Sequence, residues 1–212
     1  MIISKIKRIR GKRQLYSVIL DNGATLAVSD GTIGTCGLRT GDDLDDQAIE
    51  NIKSTEAKTQ AKNIAVNYLS YRQRSSKEII GHLIKKGFER LSAEEVTREL
   101  QSAGLVNDLA FAQAFVRDRL KRKPTGAALL RSQLLAKGMS SAQTDAVLAN
   151  LITPQGQQAA ALQAAKRKIQ AMRNSRKITD DEKQRKRLLD FLLRRGFSFE
   201  LAQKTIRTTM DR

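Results

Sequence analysis

Leu83-Ile84-Lys85-Lys86-Gly87-Phe88 returns as Leu134-Leu135-Ala136-Lys137-Gly138-Met139 and again as Leu192-Leu193-Arg194-Arg195-Gly196-Phe197. The shared pattern is two aliphatic residues, usually two basic ones, a glycine and a large apolar residue. It describes the end of a helix. Glycine supplies the left-handed position after the last turn, and the apolar residue beyond it folds back onto that turn. The two aliphatics, four and three residues ahead of the glycine, are expected to close the buried face.

The alignment extends outward without gaps. Ile79, Leu130 and Leu188 precede the glycines by eight residues, and Val96, Val147 and Thr205 follow them by nine. Met139 in place of Phe and Thr205 in place of an aliphatic are the two departures, and they bear on the packing of the later copies. A period of about 50 residues marks a repeated supersecondary unit whose apolar face is buried within the unit and against its neighbours. Each unit reads as three helices. In the first copy these span about residues 56–70, 75–86 and 92–103; the second copy runs from about 109 to 151 and the third from about 157 to 210. The only two prolines, Pro124 and Pro154, fall where the helical period resets and mark connections.

Ahead of the repeats the pattern changes. Ile6 and Ile9, then Tyr16, Val18 and Leu20, then Leu26 and Val28 alternate as strands do, and Asp21-Asn22-Gly23 between the last two groups is a hairpin signal. Glycines 31, 34, 37 and 41 read as a loop, ending in Asp42-Asp43-Leu44-Asp45-Asp46, whose charges suit a helix N-terminus. That acidic cluster lacks the alternating oxygen donors and closing Glu of a calcium loop. The expected organisation is a small β-rich extension over 1–45, a helix plus the first three-helix repeat over 46–108, a second repeat over 109–153 and a third over 154–212. The fold class is mainly α: tandem three-helix repeats forming an elongated body, with a small N-terminal β-hairpin element.

Composition narrows the function classes. Lys and Arg total 39 against 22 Asp and Glu, a formal charge of +17. Such an excess favours a polyanion or an acidic protein surface as partner. The excess grows along the chain, from +1 over residues 1–60 (9 basic, 8 acidic) to +9 over 161–212 (15 and 6). A single cysteine, Cys36, and a single histidine, His82, leave no zinc set and no nucleophile with a base beside it. Walker and dinucleotide fingerprints are absent. No apolar run reaches the ~18 residues a membrane span needs. The expectations are no enzyme, no cofactor, no metal, no membrane, and a reducing cytoplasm.

Candidate contact residues follow from the cations. Lys85, Lys86, Lys137, Arg194 and Arg195 precede the repeated glycines; there they complement the helix macrodipole, or present charge at regular intervals to a polyanion. Arg72 and Arg74 lie in a turn beside Tyr68 and Tyr71, which could stack on a base, while Ser75 and Glu78 make a capping box for the next helix. Arg119, Lys121, Arg122 and Lys123 form the densest basic stretch of the middle, ended by Pro124. Arg167, Lys168, Arg176, Lys186 and Arg187 supply the C-terminal patches. Nothing in this set specifies a base edge, so sequence-specific readout is not implied.

The stretch YLSYRQRSSKEIIGHLIKKGF, followed by VTRELQSAGLVNDLAFAQAFV, resembles the first repeat and linker of the RecX family of RecA regulators. The spacing from Gly87 to Gly104, and Leu105-Val106-Asn107-Asp108 leading to Phe111-Ala112, carries the resemblance, which covers roughly residues 56–210. It implies a monomeric regulator that lies in the groove of RecA filaments and restrains ATP hydrolysis, strand exchange and co-protease activity. It also implies binding to single- and double-stranded DNA without sequence preference. An independent non-specific DNA-binding or architectural protein is the alternative, for which charge and helical repeats suffice.

Overall fold

The computed structural model describes residues 1–11, 14–174 and 180–210. At all three repeated helix ends the glycine takes the left-handed conformation, with φ of +96° at Gly87, +94° at Gly138 and +83° at Gly196. Each donates its N–H to the carbonyl three residues back, at 3.0, 3.0 and 2.8 Å. The following Phe88, Met139 and Phe197 donate to Leu83, Leu134 and Leu192, each at 3.2 Å. These paired bonds satisfy the last carbonyls of the helix and turn the chain toward its own core.

One part of the expected pattern is corrected. Leu83, Leu134 and Leu192 are fully buried, but the next residues are not: Ile84 is 37% exposed and Leu193 39% exposed. Neighbouring helical residues lie about 100° apart around the axis, so a narrow three-helix core accepts one of each pair. The departures at Met139 and Thr205 leave the packing intact. Met139 is buried, and buried Thr205 donates its hydroxyl to the Leu201 carbonyl at 2.7 Å.

The described residues form two units, Met1–Val106 and Asn107–Arg212. In the first, β1 (Ile3–Arg8), β2 (Leu15–Leu20) and β3 (Thr25–Ser29) make an antiparallel sheet in sequence order. The expected hairpin forms between β2 and β3, and Ile3 to Arg8, the first of the strand-like groups, pairs along the free edge of β2. Gly23, at φ +84°, turns the β2–β3 hairpin as Asp21-Asn22-Gly23 requires. The glycine-punctuated loop is also corrected, since α1 (Asp30–Cys36) forms there. Ser29 caps its start and Gly37 its end.

Helix α2 (Asp46–Ser70) opens on Asp45, whose carboxylate accepts the Ala48 N–H at 2.7 Å, so the acidic cluster does begin a helix. It runs 25 residues without a break. Its first turns bring Ile52, with Ala48 and Ile49, against the buried sheet residues Ile3, Val18, Leu20 and Val28. Its last turns bring Ala61 and Ala65 against α3 (Ser76–Lys85) and α4 (Arg90–Ser102), where Ile79, Leu83, Val96 and Leu100 complete a second core. The join between the two cores is buried Glu56. One of its oxygens accepts the Ser29 N–H at 2.6 Å, the Ser29 hydroxyl at 2.8 Å and the Thr32 hydroxyl at 2.6 Å; the other accepts Gln60 at 2.8 Å.

The second unit holds two further three-helix packages. Helices α5 (Asp108–Arg122), α6 (Ala127–Ala136) and α7 (Ser141–Leu151) enclose Phe111, Val116, Leu130, Leu134 and Val147. Helices α8 (Pro154–Asn174), α9 (Asp181–Arg194) and α10 (Phe199–Met210) enclose Ala161, Ala165, Leu188, Leu192 and Ala202. Pro124 lies between α5 and α6, and Pro154 starts α8, the position where its missing N–H costs nothing. The two packages are sewn together by backbone: Gly126 and Ala128 donate to the carbonyls of Arg195 and Gly196 at 2.8 and 3.1 Å.

Candidate nucleic-acid interface

The cations singled out in the sequence divide by what they already touch. Capping by Ser75 and Glu78 forms as expected, and Arg72 pairs with Glu78 at 3.5 Å across that turn. Arg74 is half-buried rather than held out in an exposed turn. Its guanidinium carbon sits 3.9 Å from the Tyr68 ring centroid, and Tyr68 lies parallel to His82, centroids 4.0 Å apart. Tyr68 is therefore occupied within the fold. Tyr71, 83% exposed, is the aromatic of that turn open to a base or a protein surface.

His82 belongs to this cationic corner. Burial, and then the charges of Lys86, Arg74 and Lys85, hold its imidazole below the ordinary value, so it is neutral at neutral pH and suited to stacking. Lys85 and Lys86 are exposed at the end of α3. Lys137, at the corresponding end of α6, is half-buried.

In the second repeat the basic stretch closes α5. Arg122 is bound to Asp118 at 2.8 Å, and Arg119 lies 5.1 Å from the Phe115 centroid. Lys121 and Lys123 are exposed at the same end. In the third repeat, Lys168 and Arg195 approach one ring, that of Phe191, at 5.5 and 5.2 Å. Arg167, Lys186, Arg187 and Arg194 are exposed, and Arg176 lies outside the described residues.

Sequence reasoning missed several partners. Phe191 stands five residues before Gly196, where His82 stands before Gly87, so the same helical position carries a cation-flanked ring in both repeats. Lys166 and Arg173 line a groove of about 380 Å³ with Leu162, Ile169, Thr208 and Thr209, between α8 and α10. Lys58, by contrast, is taken by Glu99 at 2.6 Å, with Lys62 3.6 Å from the same carboxylate. Tight pairing moves Lys58 up and Glu99 down in pKa.

Among the described residues no three His, Cys, Asp or Glu side chains are grouped to hold a metal, and no helix is long and apolar enough to cross a membrane. The arrangement can offer multiple ammonium and guanidinium groups to a polyanion, with the exposed Tyr71 beside them. Its charges sit on helix ends and faces, a geometry suited to phosphates and not to base edges.

Comparison with known proteins agrees with this architecture. Three consecutive profiles match, described as the first, second and third three-helix domains of RecX, over residues 61–100, 107–148 and 155–206. Regulatory protein RecX of Bacillus pumilus is 29% identical over 209 residues, spanning 99% of this chain and 78% of that protein. Regulatory protein RecX of Listeria monocytogenes serotype 4a is 27% identical over 203 residues, spanning 96% and 74%. In fold, the chain is similar to a crystal structure of regulatory protein RecX with a TM-score of 0.79 at 24% identity, over 96% of this chain and 98% of that one. A RecX crystal structure from Lactobacillus salivarius superposes with a TM-score of 0.61 at 24% identity, over 73% and 97%. With three successive three-helix units, each carrying the same glycine end on its middle helix and each matched by its own domain of that family, this chain belongs to the RecX family of regulatory proteins.

Proposed function

We propose that the chain binds RecA nucleoprotein filaments in their helical groove as a monomer and restrains ATP hydrolysis, strand exchange and co-protease activity. It also binds single- and double-stranded DNA without sequence preference, and it works in the cytoplasm. The observation that carries this is the run of three RecX domains in order. A series of short packages can address successive subunits of a filament, and an excess of +17 suits a filament wound on DNA. The functional segments are the β-rich 1–45, the helix and first repeat over 46–108, the second repeat over 109–153 and the third over 154–212. Inhibition needs no chemistry by this chain, since a body lodged in the groove hinders protomer addition and closure.

The test is titration of the protein into RecA filaments on single-stranded DNA while ATP hydrolysis is followed. Hydrolysis should fall as the filament fills. Unchanged hydrolysis at concentrations that visibly occupy the filament would overturn the proposal and favour the second reading, an independent DNA-binding protein, which the cation excess supports on its own.

A further inference from the structure

We infer that the contact between Gly126 and Gly196 is a positioning joint. It composes one phosphate-binding surface from two repeats, with Lys121 and Lys123 on one side and Lys168 and Arg195 on the other. The inference rests on the DNA-binding part of the proposed function and adds where that binding is built.

The joint is made of backbone. Helix α6 has no side-chain cap at Gly126. The end of α9 supplies what is missing: the Arg195 carbonyl accepts from Gly126 N–H at 2.8 Å and the Gly196 carbonyl accepts from Ala128 N–H at 3.1 Å. Gln157, in the first turn of α8, completes it. Its Oε1 accepts the Ala127 N–H at 3.1 Å and its Nε2 donates to the Thr125 carbonyl at 3.3 Å. The positive end of one helix thus meets the negative end of another, and groups that helices leave unpaired satisfy each other.

Only glycine permits the approach. A Cβ on Gly126 would collide with the Gly196 carbonyl group, and one on Gly196 with the backbone of Leu129. At Gly87 the same addition meets nothing within 4 Å. The helix end at Gly196 therefore has a use that the one at Gly87 does not share.

The joint also decides where charge lies. Lys123 is three residues from Gly126, at most about 11 Å of extended chain. Gly126 in turn is hydrogen-bonded to Arg195. The backbones of Lys123 and Arg195 are thereby held within about 17 Å, a length along which one strand of a duplex presents about five phosphates. Among the described residues, Lys121, Lys123, Lys168 and Arg195 have no ion-pair partner, whereas Arg122 is committed to Asp118. A sequence-tolerant phosphate backbone is the ligand such unpaired cations fit.

The experiment is fluorescence anisotropy of a labelled thymidylate oligonucleotide, read as log K against log salt concentration for the full chain. K121Q/K123Q and K168Q/R195Q should each reduce the magnitude of the slope by about 1.4, two contacts at ~0.7 each. Gly126→Ala removes no charge, yet should cause a loss of similar size by parting the two sides. Gly87→Ala places a methyl at a left-handed helix end that faces open space, and should leave the slope unchanged. Gln157→Ala deletes both side-chain bonds of the joint without adding an atom; it should lower the slope in the same direction and decides the matter if Gly126→Ala loses helicity by circular dichroism. Wild-type slopes in both Gly126→Ala and Gln157→Ala, or in both glutamine pairs, overturn the joint while DNA binding stands. Absence of binding by the wild type overturns DNA binding itself, and the joint with it.

Discussion

Replacing Glu56 by alanine should unfasten the β-rich segment from the first repeat. Glu56 is 6% exposed, and its carboxylate gathers Ser29 N–H, the Ser29 and Thr32 hydroxyls and Gln60 from both sides of the join. With the carboxylate gone, the two hydroxyls can turn to each other, since they are already 3.1 Å apart, and Thr32 also reaches Thr59 at 3.4 Å. The Ser29 N–H has no such alternative. One stranded buried donor, with the loss of charge-assisted bonds, costs about 2–4 kcal/mol. Glu56→Gln should cost less, about 1–2 kcal/mol, because its remaining oxygen can still accept that N–H. Amide hydrogen exchange is the assay: protection of residues 29–37 and of the sheet should fall about 30- to 1,000-fold in Glu56→Ala, while α9 and α10 keep theirs. Acid should have the same effect. Burial works against ionisation of Glu56, but the bonds from Ser29, Thr32 and Gln60 outweigh it and hold its pKa below 4.5. Its stabilising contribution is therefore full above that ordinary value and lost as pH falls through the lowered one. Unchanged protection of residues 29–37 in Glu56→Ala would refute the reasoning.

The remaining predictions concern single side chains. His82, the only histidine, should titrate by proton NMR with a midpoint below 6.5; since its folded value is the depressed one, the stack loses stability as pH falls through that midpoint. A midpoint at or above 6.5 would contradict the stack. Leu192→Ala should lower unfolding stability by about 2–5 kcal/mol, and Leu193→Ala, one residue on, by under about 1 kcal/mol. Equal urea midpoints would contradict the assigned helix face. Thr205→Val restores the aliphatic present at Val96 and Val147, and should change stability by less than about 1 kcal/mol, because the Leu201 carbonyl keeps its helical partner. A melting temperature lowered by more than ~8 °C would contradict that.

What could be read from the sequence depended on whether the deciding interaction was local. The glycine ends were legible because the left-handed turn, its two hydrogen bonds and the returning Phe or Met all lie within six residues. The hairpin at Asp21-Asn22-Gly23 and the capping box at Ser75 and Glu78 are local in the same sense. Helix α1 was not legible, since Gly31 and Gly34 oppose a helix. It is held by Glu56, a residue 24 positions beyond Thr32. The free aromatic pair was misread for a similar reason. Nothing near Tyr68 in sequence tells that His82 and Arg74 will sit beside its ring, while Tyr71 three residues on stays exposed.

A signal for the joint between the second and third repeats did exist, in the comparison of copies. Twelve residues before Gly87 stands Ser75, which caps α3 with its own hydroxyl; twelve before Gly138 stands Gly126, which has no side chain to do so. A helix start that lacks a cap where its sister copy has one must find acceptors elsewhere or leave buried N–H groups unpaired. The nearest class of acceptor in such a protein is another helix end, and at the end of α9 it is the carbonyls of Arg195 and Gly196 that serve. In repeats built from one pattern, the position where a copy drops a locally required side chain is where contact with a neighbouring copy should be sought.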